Sequence, residues 1–336
     1  MNLMKSSQPV GGWLIALALT VVVVDGTLAA VAVDPALPTY SATAQVSGKV
    51  KSIGSDTMNN MMALWSEGFR AIHPSVKVEI EGKGSSTAPP ALIAGTSNFG
   101  PMSRKMKSKE IDAFEKKFGY KPVQLRTSID MLAVYVNKDN PIEGLTLQQV
   151  DAIFSKARKG GYGKDIVTWG DLGLTGDWQD KPISLYGRNS ASGTYGYFKK
   201  HALFKGDYKD SVKEQPGSSS VVQGVASDKY GIGYSGIGYR TSDVLAVALS
   251  AETGADPEYM DAVADNAYSG DYPLARFLYL SVNFKPGSKL DAVRREFLRF
   301  VFSKDGQSAV IKDGYLPVPA TVCAHELRLV GIEPKF

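Results

Sequence analysis

From residue 48 onward, short apolar runs alternate with longer segments whose apolar residues recur every three or four positions, and this alternation fixes the fold class. Strands are expected at Val50 to Ile53, Val76 to Ile80, Met131 to Val136, Ile183 to Tyr186 and Phe277 to Val282. The spacing predicts helices over Met58 to Ile72, Pro89 to Ala94, Lys109 to Phe118, Leu147 to Phe154, Tyr195 to His201 and Leu290 to Phe302. In the first helix Met58, Met61, Met62, Trp65, Phe69 and Ile72 share one face, which marks a buried stripe. The expected class is therefore α/β.

With 336 residues, 43% hydrophobic and 21% charged, the chain has enough core for one large domain or two lobes, and disordered and fibrous classes are excluded. The formal net charge of +4 is spread over interleaved acids and bases, so no nucleic-acid-binding stripe is expected. A weakly positive protein suits a small anionic ligand. At the N-terminus Lys5 precedes the apolar run Trp13 to Val24 and the small-residue triplet Ala30-Val31-Ala32, the pattern of a cleavable secretory signal over residues 1–32. The run is shorter than the roughly 20 residues that a membrane span needs, and an uncleaved anchor is the alternative. Residues 33–47 are expected to form a flexible N-terminus. Cys323 is the only cysteine, so an exported chain of this kind holds together by its core and not by internal disulfides. His73, His201 and His325 show no ligand spacing, and neither a metal nor another cofactor is expected.

One local design recurs three times, at Ile53-Gly54-Ser55-Asp56-Thr57, at Gly82-Lys83-Gly84-Ser85-Ser86-Thr87 and from Gly187 to Thr194. Each loop follows an expected strand and opens an expected helix. Such a turn presents backbone N–H groups that have no partner within the helix, and the positive end of the helix dipole points the same way. Glycine permits close backbone approach, and hydroxyls both donate and accept. Helix capping alone explains a single Ser or Thr at such a place. Three repetitions, with Arg188 supplying a planar fork of donors in the third, point instead to an oxyanion.

Other motifs carry less. Gly231-Ile232-Gly233-Tyr234-Ser235-Gly236 fits the dinucleotide pattern, but Ile237-Gly238-Tyr239 follows where a helix would have to begin. No nucleophile elbow and no base beside a serine is evident, so hydrolysis has little support.

Taken together, the Gly-Ser-Asp-Thr-Met opening, the Gly-Ser-Ser-Thr loop, Asn98 to Arg104, Gly187 to Thr194 and the Tyr230 to Tyr234 strand resemble the PstS family, the periplasmic phosphate receptors of ABC transporters. The likeness runs from about Gly48 to Ala320. It implies a two-lobed periplasmic binding protein fold of type II with the ligand in the interlobe cleft. Lobe I would comprise residues 48–133 and 273–325, lobe II residues 134–272, and 326–336 would be a C-terminal tail. By motif position Ser55, Asp56, Thr57, Ser85, Ser86 and Ser103 would line one side of the site, and Arg188, Ser192, Gly193 and Thr194 the other. Ser103 stands where family members carry an aspartate that accepts the proton of hydrogen phosphate, and Asp56 is the candidate substitute.

The resemblance implies a monomeric, non-enzymatic receptor in the periplasm that delivers phosphate to an inner-membrane ABC permease. A receptor for sulfate, molybdate or tungstate and a secreted phosphohydrolase are the alternatives.

Overall fold

The computed structural model describes residues 31–254, 256–334 and 336, so the expected secretory signal lies outside them except for its last two residues. The first part of the chain runs β1 (Gly48–Gly54), α1 (Asn59–Ile72), β2 (Val76–Gly82), α2 (Ala88–Ala94), β3 (Phe99–Met102), α3 (Ser108–Phe118) and β4 (Val123–Asn137). Next come β5 (Gly144–Thr146), α4 (Leu147–Phe154), β6 (Ser184–Arg188), α5 (Gly193–His201), β7 (Lys213–Gln215), α6 (Ser218–Ser227), β8 (Gly231–Gly236), β9 (Val244–Ala246), β10 (Ala248–Ser250) and α7 (Ala264–Ser269). The chain closes with β11 (Ala275–Val282), α8 (Ala292–Val301), α9 (Lys304–Lys312), β12 (Leu316–Pro317) and α10 (Ala320–Leu329).

β4 organises the sheet. Its sequence from Leu132 to Val136 is an unbroken apolar run, the pattern of a strand covered on both faces, and all five residues are fully buried. The part from Val123 to Met131 pairs antiparallel with β11, and Leu132 to Val136 pairs antiparallel with β8. The handover from β11 to β8 thus falls between Met131 and Leu132. Beyond β11 lie β3, β1 and β2, with β1 parallel to both β2 and β3. Beyond β8 lie β6 and β7, again parallel. Parallel strands need crossover helices, and the expected amphipathic segments supply them. In α1, Met61, Met62, Trp65 and Phe69 are buried as their spacing requires, with Phe69 edge-on to Phe297 of α8.

Residues 33–47 differ from the flexible segment that their composition suggested. Leu37, Tyr40 and Val46 are buried, and the Tyr40 hydroxyl donates to Glu296 Oε2 at 2.9 Å while lying 2.8 Å from His73 Nε2. Ala320 N donates to Asp34 Oδ2 at 2.9 Å, which ties the arm to α10 as well. Three apolar anchors and one buried carboxylate order a segment whose overall composition is that of a loop. The C-terminal boundary also moves: α10 passes through residues 325 and 326, and Leu327, Val330 and Ile332 are buried, so 326–336 begins as helix packed on the core. There the Glu326 carboxylate pairs with Arg126 of β4.

Tyr40→Phe removes two hydrogen-bond partners from buried groups while keeping the ring. The expected cost is about 1–3 kcal/mol, read as a lower urea midpoint at unchanged slope.

Candidate anion-binding site

In open α/β sheets, ligands bind beyond the carboxyl ends of the parallel strands, and here the loops from those ends converge. After β1, Ser55 leads into a helical turn at Asp56 to Met58, with Ser55 N donating to Pro101 O at 2.8 Å. After β2, Gly84 sits at φ 107°, which favours glycine, and a Cβ there would lie 2.6 Å from Ala191 O. After β3 comes Ser103, fully buried, with its hydroxyl 3.2 Å from that of Ser85. After β6, the Ser192 hydroxyl caps α5 by accepting from Thr194 N at 3.1 Å and Tyr195 N at 3.3 Å.

Contacts stitch these loops across the cleft. Thr57 and Thr194 hydroxyls lie 2.9 Å apart, and Ser86 N donates to Ala191 O at 3.1 Å. A Cβ on Gly193 would collide with the hydroxyls of Ser85 and Ser103, so only glycine allows that approach. Ser55, Thr57, Ser85, Ser103, Arg188, Ser192, Gly193 and Thr194 are thus all buried in this region. Ser86 takes part through its backbone, whereas its hydroxyl accepts from Arg104 at 3.2 Å.

Arg188 is the chemical centre. Its side chain is 2% exposed; Nη1 donates to Ser218 Oγ at 2.7 Å and lies 3.2 Å from Asp56 Oδ2, while Nη2 donates to Pro216 O at 3.2 Å. Burial pulls its pKa below the ordinary arginine value, and the Asp56 charge opposes that shift. Among the described residues, Arg188 Nε is buried without a partner, and so is Ser55 Oγ. Two buried donors left without partners cost free energy unless something supplies an acceptor.

Asp56 does not stand free as the acceptor envisaged for a protonated oxyanion. Its Oδ2 accepts from Ser218 N at 2.8 Å and meets Arg188, which commits the carboxylate to the guanidinium. Ser218 escaped the sequence reading although Gln215-Pro216-Gly217-Ser218 repeats the strand, glycine, hydroxyl, helix design of the other loops. The larger omission is the buried pair Asp130–Arg276. Asp130 Oδ2 accepts from Arg276 Nε at 2.9 Å and Nη2 at 2.7 Å, and Asp130 Oδ1 accepts from Ile237 N at 3.0 Å. Arg276 then donates to Ser103 O at 3.0 Å and Thr194 Oγ1 at 2.9 Å, fixing one residue from each side. A charged residue inside each of two apolar strand sequences was the available signal.

The profile of the PBP superfamily domain matches residues 39–305. The phosphate-binding protein PstS of Pseudomonas aeruginosa is 54% identical over 309 residues, covering 92% of this chain and 95% of that one. The chain belongs to the PstS family. The PstS of Staphylococcus haemolyticus is 30% identical over 285 residues, covering 84% of each chain. Among solved structures, a Clostridium perfringens chain described as a phosphate ABC transporter substrate-binding protein with bound phosphate superposes with TM-score 0.68 at 25% identity, covering 81% of this chain and 100% of that one. An ABC-type phosphate transport receptor from Vibrio cholerae shares the fold at TM-score 0.60 and 22% identity, over 80% of this chain and all of that one. The two-lobed α/β fold of type II periplasmic binding proteins expected from the sequence is the fold of this PstS-family chain.

Behind the loops, Tyr239 and Tyr315 hydroxyls donate to the backbone oxygens of Asp56 and Thr57, each at 2.9 Å. Asp313 nearby has its pKa pushed up to about 7 by burial and by the Asp130 charge. A carboxyl raised in the folded state binds more protons there than when unfolded, so stability falls as pH rises from about 4 to 7. Asp313→Asn should therefore gain roughly 1–3 kcal/mol at pH 8 and almost nothing at pH 4, measured by urea unfolding at both values.

Proposed function

We propose that this chain is a monomeric periplasmic receptor that encloses one inorganic phosphate between its two lobes and delivers it to an inner-membrane ABC permease. Residues 48–133 with 273–325 form one lobe in this reading and 134–272 the other. The observation that carries it is the unpartnered pair of buried donors, Ser55 Oγ and Arg188 Nε, among loops at the ends of parallel strands. Ser55, Thr57, Ser85, Ser103, Ser192, Gly193 and Thr194 contribute hydroxyls and amides, Ser86 its backbone, Arg188 the guanidinium, and Asp56 holds Arg188 in place. Helix starts supply partial positive charge where Asp56 and Asp130 already neutralise the two arginines.

Charge-assisted hydrogen bonds contribute about 1.5–3 kcal/mol each, and micromolar binding needs about 8 kcal/mol. The several donors around the site exceed that figure in sum, and much of the excess is offset by stripping water from the anion and ordering the lobes. Contacts from both sides favour the closed state, because either side alone satisfies only some of the ligand's oxygens.

A hydrolytic reading draws no support from Ser55 and Ser85: among the described residues Ser55 Oγ has no hydrogen-bond partner and Ser85 Oγ meets Ser103, so neither touches a base that could activate it. The alternative receptor, for a fully ionised oxyanion such as sulfate, is favoured by one observation: Asp56 is committed to Arg188. Against it, the hydroxyls of Ser55, Ser85 and Ser103 can accept the proton of hydrogen phosphate.

Calorimetry on ligand-stripped protein decides between them. One phosphate per chain with micromolar or tighter affinity is expected, weakened about tenfold in Ser55→Ala and about a hundredfold in Arg188→Gln. Sulfate binding as tightly as phosphate would favour the alternative.

A further inference from the structure

A cavity of about 570 Å³ lies between the segment that follows β3 and the exposed face of α5, and Arg276, which donates to the Thr194 hydroxyl, forms part of its wall. Its charge is one-sided. Arg104 and Arg276 on its wall are matched by Glu110 and Asp130, each with a contact at 2.7 Å. Lys105, Lys107 and Lys200 also line it, all exposed, with no carboxylate among the lining residues. The cations act on one another: partial burial and Arg104 lower the Lys107 pKa against the opposing Glu110 charge, and burial, Lys200 and Arg276 lower that of His201. With both wall arginines already paired, the three lysines leave a net positive charge that favours an entering anion.

The remaining wall is apolar and aromatic. Phe277 and Tyr279 of β11 line it with Tyr197 of α5, over whose ring Arg276 lies at 5.1 Å. A single oxyanion displaces only a few times the roughly 30 Å³ of a water and would leave most of this space and all of that surface unused. Cavities of about 300–1,000 Å³ with apolar walls and a few convergent charges take organic ligands.

We propose that this cavity is a second binding site, which takes an organic phosphomonoester with its phosphoryl group among Lys105, Lys107 and Lys200 and its apolar body against Phe277, Tyr279 and Tyr197. The lysines come from opposite sides of the cleft, so the occupant stabilises closure and tightens anion binding in the cage, and the reverse effect is of equal size. The site shares no ligand-contacting group with the cage, so its test is independent of which anion the cage holds.

Protein saturated with inorganic phosphate is titrated with phenyl phosphate by calorimetry, with ring-proton saturation transfer as a second readout. One further equivalent is expected to bind. The triple variant Lys105→Gln/Lys107→Gln/Lys200→Gln, in which only exposed side chains change, should bind phenyl phosphate about tenfold more weakly and keep its first phosphate equivalent. Methyl phosphate, which lacks the ring, should also bind about tenfold more weakly than phenyl phosphate. Absence of binding, equal affinity in the triple variant, or release of the first phosphate by phenyl phosphate would overturn the proposal. Inorganic phosphate filling a second equivalent as tightly as phenyl phosphate would overturn the assignment to an organic ligand.

Discussion

A guanidinium removed from water is the constraint on which this structure turns. Taking such a group out of water costs several kcal/mol unless its donors are satisfied, and the chain meets that cost around Arg188 with groups from separate loops. Asp56 comes from the loop after β1, while Ser218 and Pro216 come from the segment after β7, at the opposite end of the strand order. The cation can be satisfied only when those loops meet. One nitrogen is left without a partner among the described residues, and in the proposed reading its need for an acceptor couples folding of the cleft to ligand capture.

A second buried ion pair performs the mechanical counterpart. Asp130 and Arg276 sit where β4 passes from β11 to β8, and Arg276 reaches both Ser103 and Thr194. Breaking a pair buried to this degree leaves an uncompensated charge, so the junction has one favoured geometry. From Leu132 to Val136 the strand that follows the pair is uncharged and fully buried.

Much of this was legible in the sequence because it is local. A strand, a glycine, a hydroxyl and a helix within about ten residues can be read without knowing the fold, and the loops at Ser55, Ser85 and Ser192 were found that way. The loop at Ser218 carries the same signal and was passed over because Pro216 and the short β7 disguise the strand before it. Asp130 and Arg276 are another matter: 146 residues separate them, and neither strand sequence says which buried charge will meet which. The N-terminal arm was misread for the same reason, since the carboxylate that orders Tyr40 lies 256 residues away on α8. Composition reports a segment's own preference, whereas burial is set by what arrives from elsewhere.

The central claim is most directly tested by a crystal structure of the ligand-stripped protein reloaded with phosphate. Tetrahedral density within hydrogen-bond distance of both Ser55 Oγ and Arg188 Nε is the predicted result. A bound anion elsewhere in the cleft, with those two donors still unpartnered, would contradict it.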